Sequence, residues 1–142
     1  MGSGSSKITE QGVGKAENDT SNSNLGNYVV DIESCRIAKD YEGKPVVIVK
    51  YNFTNNSDDE ESFCLAFDEN VYQNGIGLNE AYVLDDSANY NADNQTKKIK
   101  KGTTLEVEVA YKLNDTETDI EVEVKELFSF NNDKVTKTFS IK

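Results

Sequence analysis

The sequence predicts an all-β fold, an antiparallel sandwich of about seven to nine short strands behind a disordered N-terminal tether. Three observations predict it. Apolar and polar residues alternate at period two through most of residues 28–142, turn residues recur about every dozen positions, and no stretch carries the period of an amphipathic helix. At 142 residues the chain suits one domain with a sizeable core.

The tether comes first. Residues 1–26 are rich in Gly, Ser, Asn and Thr, with Ile8, Val13 and Leu25 as their large apolar side chains. Such a segment buries too little surface to offset its ordering entropy. Met1–Ser6 reads as appended sequence and the rest of 1–26 as a flexible linker, with the folded domain at 27–142. From Tyr28 to Lys39 the alternation changes phase, Val30 and Ile32 on one face and Cys35 and Ile37 on the other. One extra residue between them, a β-bulge, reconciles the halves. Tyr41–Lys44 ("YEGK") supplies a turn, with Gly43 free to take positive φ.

Pro45 lacks a donor and fits the first residue of a strand. Beyond it Val47, Val49, Tyr51 and Phe53 share one face and Val46 and Ile48 the other, so this is expected to be a central strand. Ser62–Asp68 reads as a strand carrying Phe63, Leu65 and Phe67 inward. Asn74-Gly75 is a hairpin signal. Glu80–Leu84 is a short strand or one helical turn, and Asp85–Lys98 a long loop. After Gly102, Leu105, Val107, Val109, Tyr111 and Leu113 alternate against Glu106 and Glu108, which are expected to be wet. Ile120, Val122 and Val124 repeat the pattern, with Phe128 and Phe130 in phase. Val135, Phe139 and Ile141 close the domain.

Composition narrows the function. Lys and Arg number 15 against 26 Asp and Glu, for a net charge of -11. Nucleic acid is therefore not an expected partner, because phosphate binding needs a basic footprint. The Lys97–Lys101 cluster is read as a solvated turn. With no histidine in the chain, zinc lacks ligands and histidine-based catalysis is excluded. The acidic pairs of the 58–61 loop, Asp68-Glu69 and Asp85-Asp86 read as solvated runs rather than glycosidase carboxyls. No enzyme activity and no cofactor are expected. No run approaches the roughly 18 apolar residues of a membrane helix. No secretory leader is visible, and a native one is expected to have been removed.

Three segments, "SCRIAKDYEGKPVVIVKYNFTNNS", "FDENVYQNGIGL" and "IKKGTTLEVEVAYKLND", resemble a family of immunoglobulin-like (telokin-like) domains of unknown function from secreted lipoproteins of Gram-positive bacteria. The likeness spans roughly residues 27–142. It implies an extracellular immunoglobulin-like sandwich, lipid-anchored at the cell surface in its native form through an N-terminal cysteine and a linker. Cys35 lies within a strand, so membrane attachment is implied only for the native precursor. Lys101 stands where such domains often carry Pro before Gly. The resemblance transfers no catalytic residue.

The expected role is a non-enzymatic surface module binding an extracellular protein or ligand. Loops held by rigid sheets carry binding residues, and long ones are disproportionately functional. Asp86, Asn89, Tyr90 and Asp93 are therefore the candidate contact residues, with the 58–61 loop second. The alternative is a cation- or small-ligand-binding domain using the 85–96 loop, whose alternate oxygen-bearing side chains suit calcium but lack the EF-hand glycine and glutamate. Cys35 and Cys64 are a possible disulfide: an extracellular setting permits it, while Cys64 falls out of phase with Phe63, Leu65 and Phe67.

Overall fold

The computed structural model describes residues 15–19, 23–83, 89–129 and 131–142. Among the described residues, nine strands form two antiparallel sheets. They are β1 (Lys15–Asp19), β2 (Asn24–Leu25), β3 (Tyr28–Lys39), β4 (Pro45–Asn55), β5 (Phe67–Gln73), β6 (Ile76–Gly77), β7 (Thr103–Lys112), β8 (Ile120–Glu126) and β9 (Lys134–Ser140). One sheet has the order β1-β9-β8-β5-β6 and the other β2-β3-β4-β7. The expected sandwich is the observed one.

β4 is a central strand, paired with β3 on one side and β7 on the other. Its Val47, Val49, Tyr51 and Phe53 enter the main core between the sheets, against Val107, Val109 and Tyr111 of β7 and Val122 and Val124 of β8. Its Val46 and Ile48 face the opposite side, where Ala81 and Ala110 cover them. The bulge in β3 is present: the β3–β4 register shifts between Ile32 and Ser34, so both apolar halves of β3 reach the core. Asn74 and Gly75 take φ of 54° and 77°, the paired positive values of a type I′ turn, and join β5 to β6.

Several expectations are corrected. Phe63–Ala66 is a single helical turn, α1, before β5. Phe63, Ala66 and Phe67 are buried at helical spacing, which leaves Leu65 53% exposed rather than in the core. Phe128 is 84% exposed, because the chain leaves β8 at Glu126, and Phe130 lies outside the described residues. Glu108 is buried, for a reason that belongs to the site below. Glu80 forms neither strand nor helix, but a single bridge to Tyr111. Within the segment read as linker, Lys15–Asp19 pairs with β9 and Asn24–Leu25 with β3, and Leu25 is buried in the main core. Residues 1–14 and 20–22 of that segment lie outside the described residues.

No bridge joins the cysteines. Cys35 lies inward on β3 and is buried, whereas Cys64 is exposed on α1 beside the Ser62 hydroxyl. The helical turn swings Cys64 away from the core that Cys35 occupies. Alkylation of the folded protein should therefore label Cys64 rapidly and Cys35 only on unfolding, a difference of one adduct by mass spectrometry. Equal rapid labelling would show that β3 is not packed as described.

Candidate functional site

β7 is the outer strand of its sheet, so its outward N–H and C=O groups need partners from elsewhere. The segment from Asn89 to Gln95 provides them. Asn94 donates from Nδ2 to the Glu106 carbonyl at 2.8 Å, and Gln95 from Nε2 to the Glu108 carbonyl at 2.8 Å. The Ala110 N–H donates to the Tyr90 hydroxyl at 3.1 Å. Further along, Ala81 N–H donates to the Ala110 carbonyl and Lys112 N–H to the Asn79 carbonyl. The edge is dressed first by side chains and then by backbone.

This explains Glu108. Its carboxylate lies under the same segment and accepts Arg36 Nη1 at 2.6 Å, Arg36 Nη2 at 3.3 Å and the Asn91 N–H at 3.1 Å. Arg36 Nη2 also donates to the Asn89 carbonyl. Loss of hydration works against ionisation of Glu108, but the Arg36 and Asn91 hydrogen bonds outweigh it and hold the carboxyl below its ordinary range.

The predicted contact residues are thus placed plainly. Asn89 sits at φ 52° with its carbonyl on Arg36. Tyr90 is half-buried, packs against the Val46, Ile48 and Ala110 cluster, and uses its hydroxyl on β7. Asp93 begins a 3-10 turn, Asp93–Thr96, where its N–H bonds to Asn91 Oδ1. Asp86 lies outside the described residues. Tyr90 covers part of the β7 edge, while the Asn89 carbonyl is held by Arg36 of β3. The 58–61 loop instead faces the lysine cluster: Asp58, Asp59 and Glu60 share a shallow recess with Lys100 and Lys101, and Lys101 pairs with Asp58 at 2.9 Å.

Sequence reasoning missed Glu69. It follows the inward phase of Phe67 and Val71, so its carboxyl turns between the sheets rather than into solvent. Tyr111 donates its hydroxyl proton to Glu69 Oε2 at 2.8 Å, and the Tyr51 hydroxyl lies 2.8 Å from that of Tyr111. Lost hydration pushes the Glu69 carboxyl up to about 7; the Tyr111 hydrogen bond opposes this, while the charge and hydrogen bond of Glu80 add to it. Burial likewise holds both tyrosine hydroxyls well above the usual range. The signal was available, since an acid in phase with Phe67 and Val71 is not part of a solvated run.

The two ends of the sandwich differ. At the α1 end, the Leu127 N–H donates to the Ala66 carbonyl, and Leu65, Leu127 and Phe128 are exposed. At the other end the Tyr41–Lys44 turn, the β5–β6 turn and the end of β7 enclose a cleft of about 300 Å³. Tyr41 and Ile76 are exposed there, at 62% and 59%.

Comparison with known proteins places the chain. A candidate lipoprotein of Staphylococcus aureus has a similar structure, with a TM-score of 0.56 at 20% identity over 90% of this chain and 93% of the other. A candidate lipoprotein of Bacillus subtilis gives a TM-score of 0.62 at 16% identity, over 89% of this chain but 39% of the Bacillus chain. At such identities the likeness is one of fold. No curated protein matches the sequence. The family described as "Domain of unknown function (DUF5067)" matches residues 5–126, most of the length, and the chain belongs to that family.

Proposed function

We propose that this domain is a non-enzymatic, extracellular binding module of the lipoprotein type, immunoglobulin-like in build and held at the cell surface by a lipid anchor in its native form. One observation carries the binding reading. A chain of net charge -11 leaves large apolar side chains uncovered at both ends of a rigid sandwich, with Phe128 84% and Ile76 59% exposed. Large apolar side chains left exposed on an otherwise strongly charged chain are the kind of surface that interaction sites use. The shared fold with two candidate lipoproteins supports the surface setting. The alternative, cation binding by the 85–96 loop, has less behind it, because the Asn89 carbonyl accepts from Arg36 and the Tyr90 hydroxyl from the Ala110 N–H.

The test is cross-linking capture from Gram-positive envelope fractions, comparing the wild type with a Leu65→Ser, Leu127→Ser, Phe128→Ser variant and with Ile76→Ser. Loss of an apolar anchor typically weakens an interface by about tenfold or more. Capture should fall by that factor in at least one variant while melting temperature holds. Undiminished capture by both variants overturns the reading, and a calcium-dependent rise in melting temperature would restore the alternative.

A further inference from the structure

After β6 the chain passes from one sheet to the other within a few residues. Leu78 N–H still donates to the Val71 carbonyl of β5. Lys112 N–H then donates to the Asn79 carbonyl at 2.7 Å, and Ala81 N–H to the Ala110 carbonyl at 2.9 Å. Glu80 stands between these two bonds, bridged to Tyr111 of β7, and is exposed. Among the described residues, two backbone bonds therefore hold this crossover, residues 78–81, to β7.

Glu80 ends a line of hydrogen bonds that needs one proton more than two carboxylates can supply. Tyr111 donates to Glu69 Oε2 at 2.8 Å. Its single hydroxyl proton is spent there, so Tyr51, whose hydroxyl lies 2.8 Å away, donates to Tyr111. Glu69 is in turn hydrogen-bonded to the Glu80 carboxyl. Ionised carboxylates only accept, so this last bond exists while one of the two keeps a proton. Glu69 keeps it: lost hydration above all, with the charge and hydrogen bond of Glu80, holds its carboxyl at about 7 against the opposing Tyr111 bond. The surroundings hold no compensating cation. β4 contributes Tyr51, β7 Tyr111 and the 89–95 segment Tyr90, whose hydroxyl feels the charges of Glu80 and Glu108. On β8 the residue opposite Glu69 is Val124.

We propose that the Glu69–Glu80 pair is a proton-operated clasp, which fastens the 78–81 crossover to β7 and loosens it as pH rises toward neutrality. Loss of the proton turns a hydrogen bond into two like charges in contact, one of them poorly hydrated. Glu69 is fixed within β5, which is paired to β8 along its length. Glu80 is exposed and its crossover has two backbone bonds to lose, so the crossover yields. Lifting it frees the Ala110 carbonyl and the Lys112 N–H, an open edge of the kind to which strands add. The fastened form holds a proton that the lifted form releases. The clasp is therefore at full strength below about pH 4.5, weakens through the window above it, and has lost the proton's contribution above pH 7. It does not depend on the binding-module reading.

Amide hydrogen exchange of the full chain, read by NMR and corrected for the intrinsic rise of exchange with pH, tests this. The Ala81 and Lys112 amides should exchange through a local opening, faster than that of Val109, which lies opposite Val49 of β4. Their protection should fall by more than about tenfold between pH 5 and pH 7. In Glu69→Gln, whose amide donates to Glu80 without titrating, that fall should vanish. Glu80→Ala, a change at an exposed side chain, should lower protection of both amides about tenfold at pH 5. Protection that is flat with pH in the wild type, or a fall that persists in Glu69→Gln, overturns the clasp. So does exchange of Ala81 and Lys112 no faster than that of Val109, which would mean that the crossover opens only with the whole domain. Unchanged protection in Glu80→Ala likewise overturns it, because Glu69 would then act without its partner.

Discussion

Replacing Phe53 by alanine is expected to destabilise the domain by about 3–5 kcal/mol, the range for truncating a fully buried aromatic. Phe53 is 0% exposed on the central strand β4, and its ring lies 5.9 Å from that of Tyr28, 6.1 Å from Phe63 and 5.3 Å from Phe67. Those partners come from β3, α1 and β5, so one side chain joins both sheets to the helical turn. Its removal costs the transfer energy of the ring and leaves a cavity that three separately anchored elements cannot close together. Urea unfolding of Phe53→Ala measures this, with Glu106→Ala as the control. Glu106 is exposed and its pair with Lys50, at 3.4 Å, is a surface pair worth at most about 1 kcal/mol. A larger loss from Glu106 than from Phe53 would mean that the faces of β4 and β7 are assigned backwards.

The faces were legible because a strand writes its orientation into adjacent residues. Leu105 to Tyr111 alternate without interruption, and the chain had to be a strand with that face inward. The β3 bulge was legible for the same reason: Val30 and Ile32 cannot share a face with Cys35 and Ile37 unless one residue is added. Phe63 to Phe67 was not, since five residues with apolar side chains at the first, third and fifth also place the first, fourth and fifth at helical spacing. Burial of Phe63 and Ala66 together selects the helix, and that is a tertiary outcome.

The site was less legible because it depends on what lies across from it. Alternation put Glu108 on the outer face correctly, but whether an outer face is wet depends on another segment folding over it. The segment that does so is rich in amides. Asn91, Asn94 and Gln95 read locally as loop-forming residues, yet their use is to supply donors and geometry to a strand edge that lacks a neighbouring strand. Tyr90 likewise reads as an exposed contact until Ala110 is known to need an acceptor.

Stability is expected to fall as pH rises from about 4.5 to about 7, and Glu69→Gln is expected to remove that fall. The folded Glu69 carboxyl is held at about 7, above its ordinary 4.5. Between those values the native state keeps a proton that the unfolded chain releases, so each pH unit gained costs up to about 1.4 kcal/mol. The contribution is therefore complete below about pH 4.5, is lost through the window, and is gone above pH 7. The groups facing Glu69 are the Tyr111 hydroxyl, the Tyr51 hydroxyl behind it and Glu80, and no cation among them offsets the charge. The amide oxygen of the substituted glutamine would still accept the Tyr111 hydroxyl proton, which keeps the Tyr51–Tyr111 chain intact. Subtracting the two unfolding free energies at each pH isolates Glu69 from Glu108, whose depressed pKa acts at the acid end. The difference should grow with pH to a plateau near 7, in favour of the glutamine variant. A flat difference would mean that Glu69 is hydrated in the native state, and its inward placement on β5 would then be wrong.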